Sequence, residues 1–203
     1  MTVLFVGSFL FAQGQDEKSI EIGASLFGVR QFKELPSHQY KNGNFIAFPK
    51  GILVHSVGKR LRTTLELNYY DLKAELDGTN CWDCGGGSGH LKGIETKVGV
   101  FKNYNFGRFS FSPGLSAYFL RTRVTGTYYG GISWSKWEID TRTNHIGINP
   151  TLSFGFGGLK PILISLETGA FFGRLFGKDI DKRFGNERFF SPIQSINLKY
   201  KIR

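Results

Sequence analysis

The 203-residue chain has no uninterrupted apolar run of the roughly 18 to 20 residues that a membrane-spanning helix requires. Any bilayer crossing must therefore be made by strands. Phosphate-loop chemistry is missing as well, because "CGGGSGH" lacks both the Lys-Ser/Thr pair and the strand-to-helix setting such a loop needs. The positive excess, +10 with a sequence pI near 9.7, is scattered through loops and turns without a dense Lys/Arg cluster. With no recognition-helix pattern or RNP-like aromatic motif beside it, nucleic acid is not an expected partner.

What the chain does contain is aromatic and glycine-rich: 20 Phe and 8 Tyr stand beside 27 Gly and a single Met. That mixture favours strands over helices. The opening "MTVLFVGSFLFAQGQ" carries an apolar run from Val3 to Ala12, the length of a signal-peptide core, although no Lys or Arg precedes it. Small residues at Ala12 and Gly14 place cleavage before Gln15. We therefore expect residues 1–14 to be a leader and 15–203 one domain.

After the leader, segments of strict two-residue period recur. They are expected at 19 to 31, at 44 to 57 (interrupted by Pro49), at 63 to 76, from Ile94 to Phe101, at 109 to 119, at 146 to 156, at 162 to 172, and over the terminal "QSINLKYKIR". The connections alternate long and short; "KELPSHQYKNGN", "DGTNCWDCGGGSGH", "TGTYYGGISWSK" and "GKDIDKRFGNER" are the long ones, while "GKR", "NYNFGR" and "GGLK" are short. Eight strands in this rhythm predict an all-β fold, an eight-stranded antiparallel up-and-down transmembrane β-barrel.

The facing follows from the same period. One parity of each strand is apolar; the other is rich in Ser, Thr, Asn and Gly, small enough for a narrow interior, whereas a solvated exterior would carry more Lys and Glu. Clean alternation over about 9 to 11 residues also matches a tilted bilayer-crossing strand. Ile196, Leu198, Tyr200 and Ile202 are thus expected to face lipid. Glu21, Glu66, Glu95 and Glu167 with Lys97 and Lys199 fall on the inward parity, where opposite charges need one another. They are read as a charge network that plugs the barrel and fixes its shape.

The terminal "SINLKYKIR" resembles the amphipathic last strand of the small bacterial outer-membrane β-barrels, of the OmpA-transmembrane and OmpX type, and the "GKRL" turn is similar to periplasmic turns in such barrels. The resemblance covers nearly everything after the leader. It implies an outer-membrane location, outer-membrane lipid and lipopolysaccharide as surroundings, the barrel-assembly machinery as reader of the last strand, and other envelope proteins as possible partners. It does not choose between structural, surface-interaction and enzymatic roles.

Residues that carry chemistry elsewhere are few. Cys81 and Cys84, in "CWDC", are read as a local disulfide in an exported loop; zinc would need ligands beyond His90 and Asp83, and redox catalysis a helix start that is absent. No catalytic, cofactor or metal residues are assigned. His38, His55, His90 and His145 are read as loop or interfacial residues. The sharper alternative is a lipid-modifying rim enzyme, which would need His145 and Asp140 to converge with a serine or acid. A third alternative, a soluble lipocalin-like carrier, would reverse the facing of every strand. Trp134, Trp137, Tyr128, Tyr129, Phe184, Phe189 and Phe190 suit an interfacial aromatic girdle. Beside them Arg121, Arg123, Lys136, Lys182, Arg183 and Arg188 either meet anionic headgroups or surface glycan, or are simply solvated.

Overall fold

The computed structural model describes residues 19–28, 50–57, 60–76, 87–130, 135–159, 161–176 and 186–202. The leader, the first strand beyond 28, the second before 50 with Pro49, and Cys81 and Cys84 all lie outside them. The described segments are β1 (Ser19–Gly28), β2 (Lys50–Val57), β3 (Leu61–Leu76), β4 (Gly87–Lys102), β5 (Tyr104–Phe106), β6 (Phe109–Gly130), β7 (Ser135–Leu159), β8 (Ile162–Phe176) and β9 (Asn186–Ile202). Every pairing is antiparallel, and β5 continues the line of β4 against β6 beyond Asn103. The last strand pairs with the first, Ile20 opposite Ile202 and Ala24 opposite Leu198, which closes the sheet into an eight-stranded barrel. Closure leaves no open edge, the condition for placing strands in lipid.

Local chemistry explains the irregularities. Gly107 takes φ 63° in the two-residue turn between Phe106 and Phe109, a conformation that a side chain would resist. Pro150 has no N–H to donate, and the β7–β8 ladder is interrupted between Ile148 opposite Phe172 and Thr151 opposite Gly169 without a change of register. Asn149 repairs that gap from inside. Its Nδ2 donates to the Ala170 carbonyl at 2.7 Å, and its Oδ1 accepts from Gln194 Nε2 at 2.8 Å. Gln194 belongs to a bulge of β9 beside Pro192, where the register against β8 shifts between Glu167 and Gly169.

One expectation is corrected. The stretch "TGTYYGGISWSK" is mostly strand, not a long loop: β6 and β7 stay paired out to Gly130 opposite Ser135. These two strands have 22 and 25 residues, so some ten residues of each lie beyond the length that crosses a bilayer, projecting roughly 30 Å along the strand. With the paired upper parts of β3 and β4, which run to Leu76 opposite Gly87, they form the tallest wall among the described residues.

Candidate functional site

The surface is inverted relative to a soluble protein. Among the described residues thirty large apolar side chains are exposed, while buried polar and charged residues outnumber buried apolar ones by 25 to nine. Ile52 and Ile94 are 62% and 59% exposed; Glu95 and Glu167, inside, are 1% exposed. The terminal strand follows the same rule, with Leu198, Tyr200 and Ile202 exposed, Ile196 half-buried, and Asn197 and Lys199 buried. This is the facing that lipid imposes. It is opposite to what a soluble carrier requires.

On the side of the barrel away from the termini the apolar belt ends abruptly. Following the outward parity, Tyr69 gives way to Asp71, Ile94 to Lys92, Phe119 to Arg121, Phe172 to Arg174 and Phe190 to Arg188, all exposed. Strand register then sets cations side by side: Lys92 on β4 is opposite Arg123 on β6, which is opposite Arg142 on β7. Lys92, Arg121, Arg123 and Arg142 line a groove of about 230 Å³ with Tyr69 and Ile94 at its base. Asp140 takes a bidentate grip on Arg123, Nε to Oδ1 and Nη2 to Oδ2 both at 2.8 Å. Those hydrogen bonds hold the Asp140 carboxyl below the usual carboxylate range. On the same wall Asp71 pairs with His90, which likewise lowers the Asp71 carboxyl.

Inside, the six charges expected to neutralise one another meet only in part. Lys97 Nζ lies 2.7 Å from Glu66, with both side chains buried. Glu95 accepts from Tyr70 Oη at 2.6 Å and Asn68 Nδ2 at 3.3 Å, and Glu167 from Ser195 Oγ at 3.2 Å. Glu21 lies 3.5 Å from Nδ1 of a fully buried His55. Lys199 is buried with no carboxylate in salt-bridge reach among the described residues. Arg62, on the inward parity of β3 with Glu66, is buried too and stacks over the Phe101 ring at 4.5 Å. That parity was the signal by which it could have been included.

Further along the lumen, away from the termini, the filling turns apolar. Tyr70, Leu91, Tyr118, Leu120, Val124 and Phe171 form one cluster, with Leu72 and Phe189 packed against it. Tyr118 meets Phe171 edge-on with centroids 5.4 Å apart. It lies across Gly147 and Gly173, where an added Cβ would come within 2.6 and 2.1 Å of its hydroxyl. The absence of side chains there makes room for the ring.

Several sequence-based assignments are relocated. His145 is a buried interior residue, 3.3 Å from Thr143 Oγ1, and not an interfacial one; its odd number in β7 gives it the inward parity of Asn149. Asp140, on the even parity, is exposed and engaged by Arg123, so the two do not form a dyad. His55 is likewise interior. Phe189 stacks inward on Phe171 at 6.4 Å, leaving Phe190 on the outer face. His38, Trp134, Lys182, Arg183 and Phe184 lie outside the described residues.

A closed antiparallel barrel with an apolar outer belt and a polar, filled interior defines the class: a small transmembrane β-barrel. Among solved structures the chain is similar to Neisserial surface protein A, with TM-score 0.51 and 9% identity over 94% of this chain and all of that one. It is also similar to Ail, the attachment invasion locus protein of Yersinia pestis (TM-score 0.45, 10% identity, 93% of this chain and 100% of that one). The N-terminal β-barrel domain of Pseudomonas aeruginosa OprF matches at TM-score 0.38 and 13% identity over 94% of this chain and 100% of that one. The first likeness agrees with the architecture built above from residues; at this identity it is a likeness of fold. No protein-family model matches the sequence, and neither does any curated protein.

Proposed function

We propose that the protein is an integral outer-membrane barrel with a structural or surface-interaction role, carrying four extracellular connections and catalysing no reaction. The observation that carries this reading is the exposed apolar belt around a polar, packed interior. In this orientation the termini and short turns face the periplasm, and the tall wall of β3, β4, β6 and β7 faces outward with its connections. Contact would be made by that wall and by the connections on the same side of the barrel. Residues 1–14 serve as the export leader, Cys81 and Cys84 close a disulfide in the oxidising exterior, and the strand ending at Ile202 is what the barrel-assembly machinery reads. The apolar cluster around Tyr118 and Phe171 favours a lumen that does not conduct.

Lipopolysaccharide is the favoured lipid partner. Asp140 and Asp71 offset only part of the charge of Lys92, Arg121, Arg123 and Arg142, and this cationic row sits where the apolar belt ends, at the level proposed for headgroup phosphates. Other envelope proteins would meet the wall above that row.

The test of the membrane reading is heat-modifiability: membranes are extracted in mild detergent and gel mobility is compared with and without boiling. A mobility shift is expected. Protein that partitions into water and shows no shift would overturn the reading. For the lipid partner, Lys92→Gln/Arg142→Gln should weaken co-purification with lipopolysaccharide and leave the mobility shift intact; unchanged co-purification would remove the row from that role.

A further inference from the structure

The lumen is not filled evenly. At the end bearing the termini and the short turns it opens into a cavity of about 340 Å³, reaching from the 103–108 turn, Pro161 and Lys201 inward to Arg62, Lys199 and Ser165. Its lining holds four cations, Arg62, Arg108, Lys199 and Lys201, against one carboxylate, Glu21, which is turned toward His55.

Two of those cations are expensive where they stand. Arg62 is only 6% exposed, its Nε and Nη2 have no hydrogen-bond partner, and its guanidinium lies over the Phe101 face. Lys199, 3% exposed, makes no salt bridge among the described residues, and the carboxylates whose field it shares, Glu167 and Glu21, lie beyond salt-bridge distance. A buried guanidinium with idle donors carries a desolvation cost that a neutral side chain of the same shape would avoid. Sequence alternatives were available at no cost to the strands, since Met or Leu on the inward parity would fill the same space. A planar fork of N–H groups beside an ammonium, at the closed end of a small open cavity, is the donor arrangement that recognises an oxoanion.

We propose that this vestibule is an anion-binding site for a small oxoanion, a carboxylate or a phosphate, gripped by Arg62 Nε and Nη2 with Lys199 as second cation and Lys201 and Arg108 drawing it in at the mouth. That the mouth faces the periplasm rests on the orientation proposed above; the site itself does not. The apolar cluster beyond makes the vestibule a dead end, so the anion binds there and does not pass through.

The experiment is a titration of the folded, detergent-solubilised barrel, at constant ionic strength, with inorganic phosphate, acetate, a short peptide with a free C-terminal carboxylate, and chloride. The Arg62 Nε–H resonance is followed by NMR. A saturable shift with phosphate or carboxylate, absent with chloride, is expected. Lys199→Met should weaken binding at least about tenfold, the size of one lost charge-assisted hydrogen bond. Heat-modifiability of each variant separates loss of the site from loss of the fold, and Lys201→Gln provides a milder variant that leaves the buried pair intact. Preference for phosphate would identify free phosphate or a phosphate ester as the source, and preference for the peptide over acetate a chain end; either upholds the site. No saturable shift in the folded wild-type barrel, an equal response to chloride, or undiminished binding in folded Lys199→Met would overturn it. Because the titration reads the site in detergent, its failure is distinct from failure of the membrane orientation.

Discussion

Replacing Lys97 by Met deletes the cation of the buried Lys97–Glu66 pair and leaves its carboxylate inside the barrel. The described buried charges comprise four carboxylates (Glu21, Glu66, Glu95, Glu167) and three cations (Arg62, Lys97, Lys199), a formal excess of one negative charge with histidines neutral. Lys97→Met raises that excess to two, and Glu66→Gln lowers it to zero. Lys97 also sits in the field of Glu95 and Glu167, so its loss is felt by three acids at once. Both partners are about 95% buried and 2.7 Å apart, and breaking such a pair by removing one member costs about 3–5 kcal/mol. Lys97→Met should fall at the upper end of that range and Glu66→Gln below it. The double variant Lys97→Met/Glu66→Gln, which removes both charges and closes the cycle with the two single variants, should return part of the loss. Urea unfolding in detergent micelles or lipid vesicles, read by tryptophan fluorescence and gel mobility, measures all four corners of the cycle. Additive single costs, or Glu66→Gln being the more damaging substitution, would refute the charge accounting.

Leu152, outward on β7 and 41% exposed, should cost about 2–4 kcal/mol when changed to Arg if it lies at the bilayer midplane; tolerance in vesicle unfolding would contradict the facing. Gly173→Ala places a methyl 2.1 Å from the Tyr118 hydroxyl and 2.8 Å from the Ile146 carbonyl, and overpacking of this kind should destabilise by about 1–3 kcal/mol in the same assay. Planar-bilayer recording should find no steady conductance in the wild type, and open channels would contradict closure by the apolar cluster. The Arg123–Asp140 contribution to the projecting hairpin has a defined pH sense. Because the guanidinium hydrogen bonds lower the Asp140 carboxyl, the contribution is complete above the ordinary carboxylate value and fades as pH falls through the lowered one. Amide exchange at Thr125, opposite Asp140, should therefore report faster opening in acid for the wild type than Asp140→Asn shows, and high salt should narrow the difference.

The alternation of Ile196, Leu198, Tyr200 and Ile202 with Ser195, Asn197, Lys199 and Lys201 is written in neighbouring residues. Strand identity, strand number and facing were therefore legible from the sequence, since a strand's period is a property of the local backbone and lipid rewards one face uniformly. The same counting held the inward positions of His145, Phe189 and Arg62, which assignment by residue type overlooked. Where the outer parity ceases to be apolar, as in "TGTYYGGISWSK", the pattern loses contrast, and pairing alone extends β6 and β7 beyond the belt.

Partnership was not legible. That Glu66 meets Lys97 while Glu95 turns to Tyr70 and Asn68 follows from the register of β3 against β4 and from side-chain reach across the lumen. That Lys92, Arg123 and Arg142 form one row follows from β4, β6 and β7 lying side by side. The sequence by itself determined which side of each strand meets lipid, because that is decided residue by residue. Only the closed barrel decided which inward charges touch and which, like Arg62 and Lys199, are left facing a cavity, because those distances are set by the packing of all eight strands around one lumen.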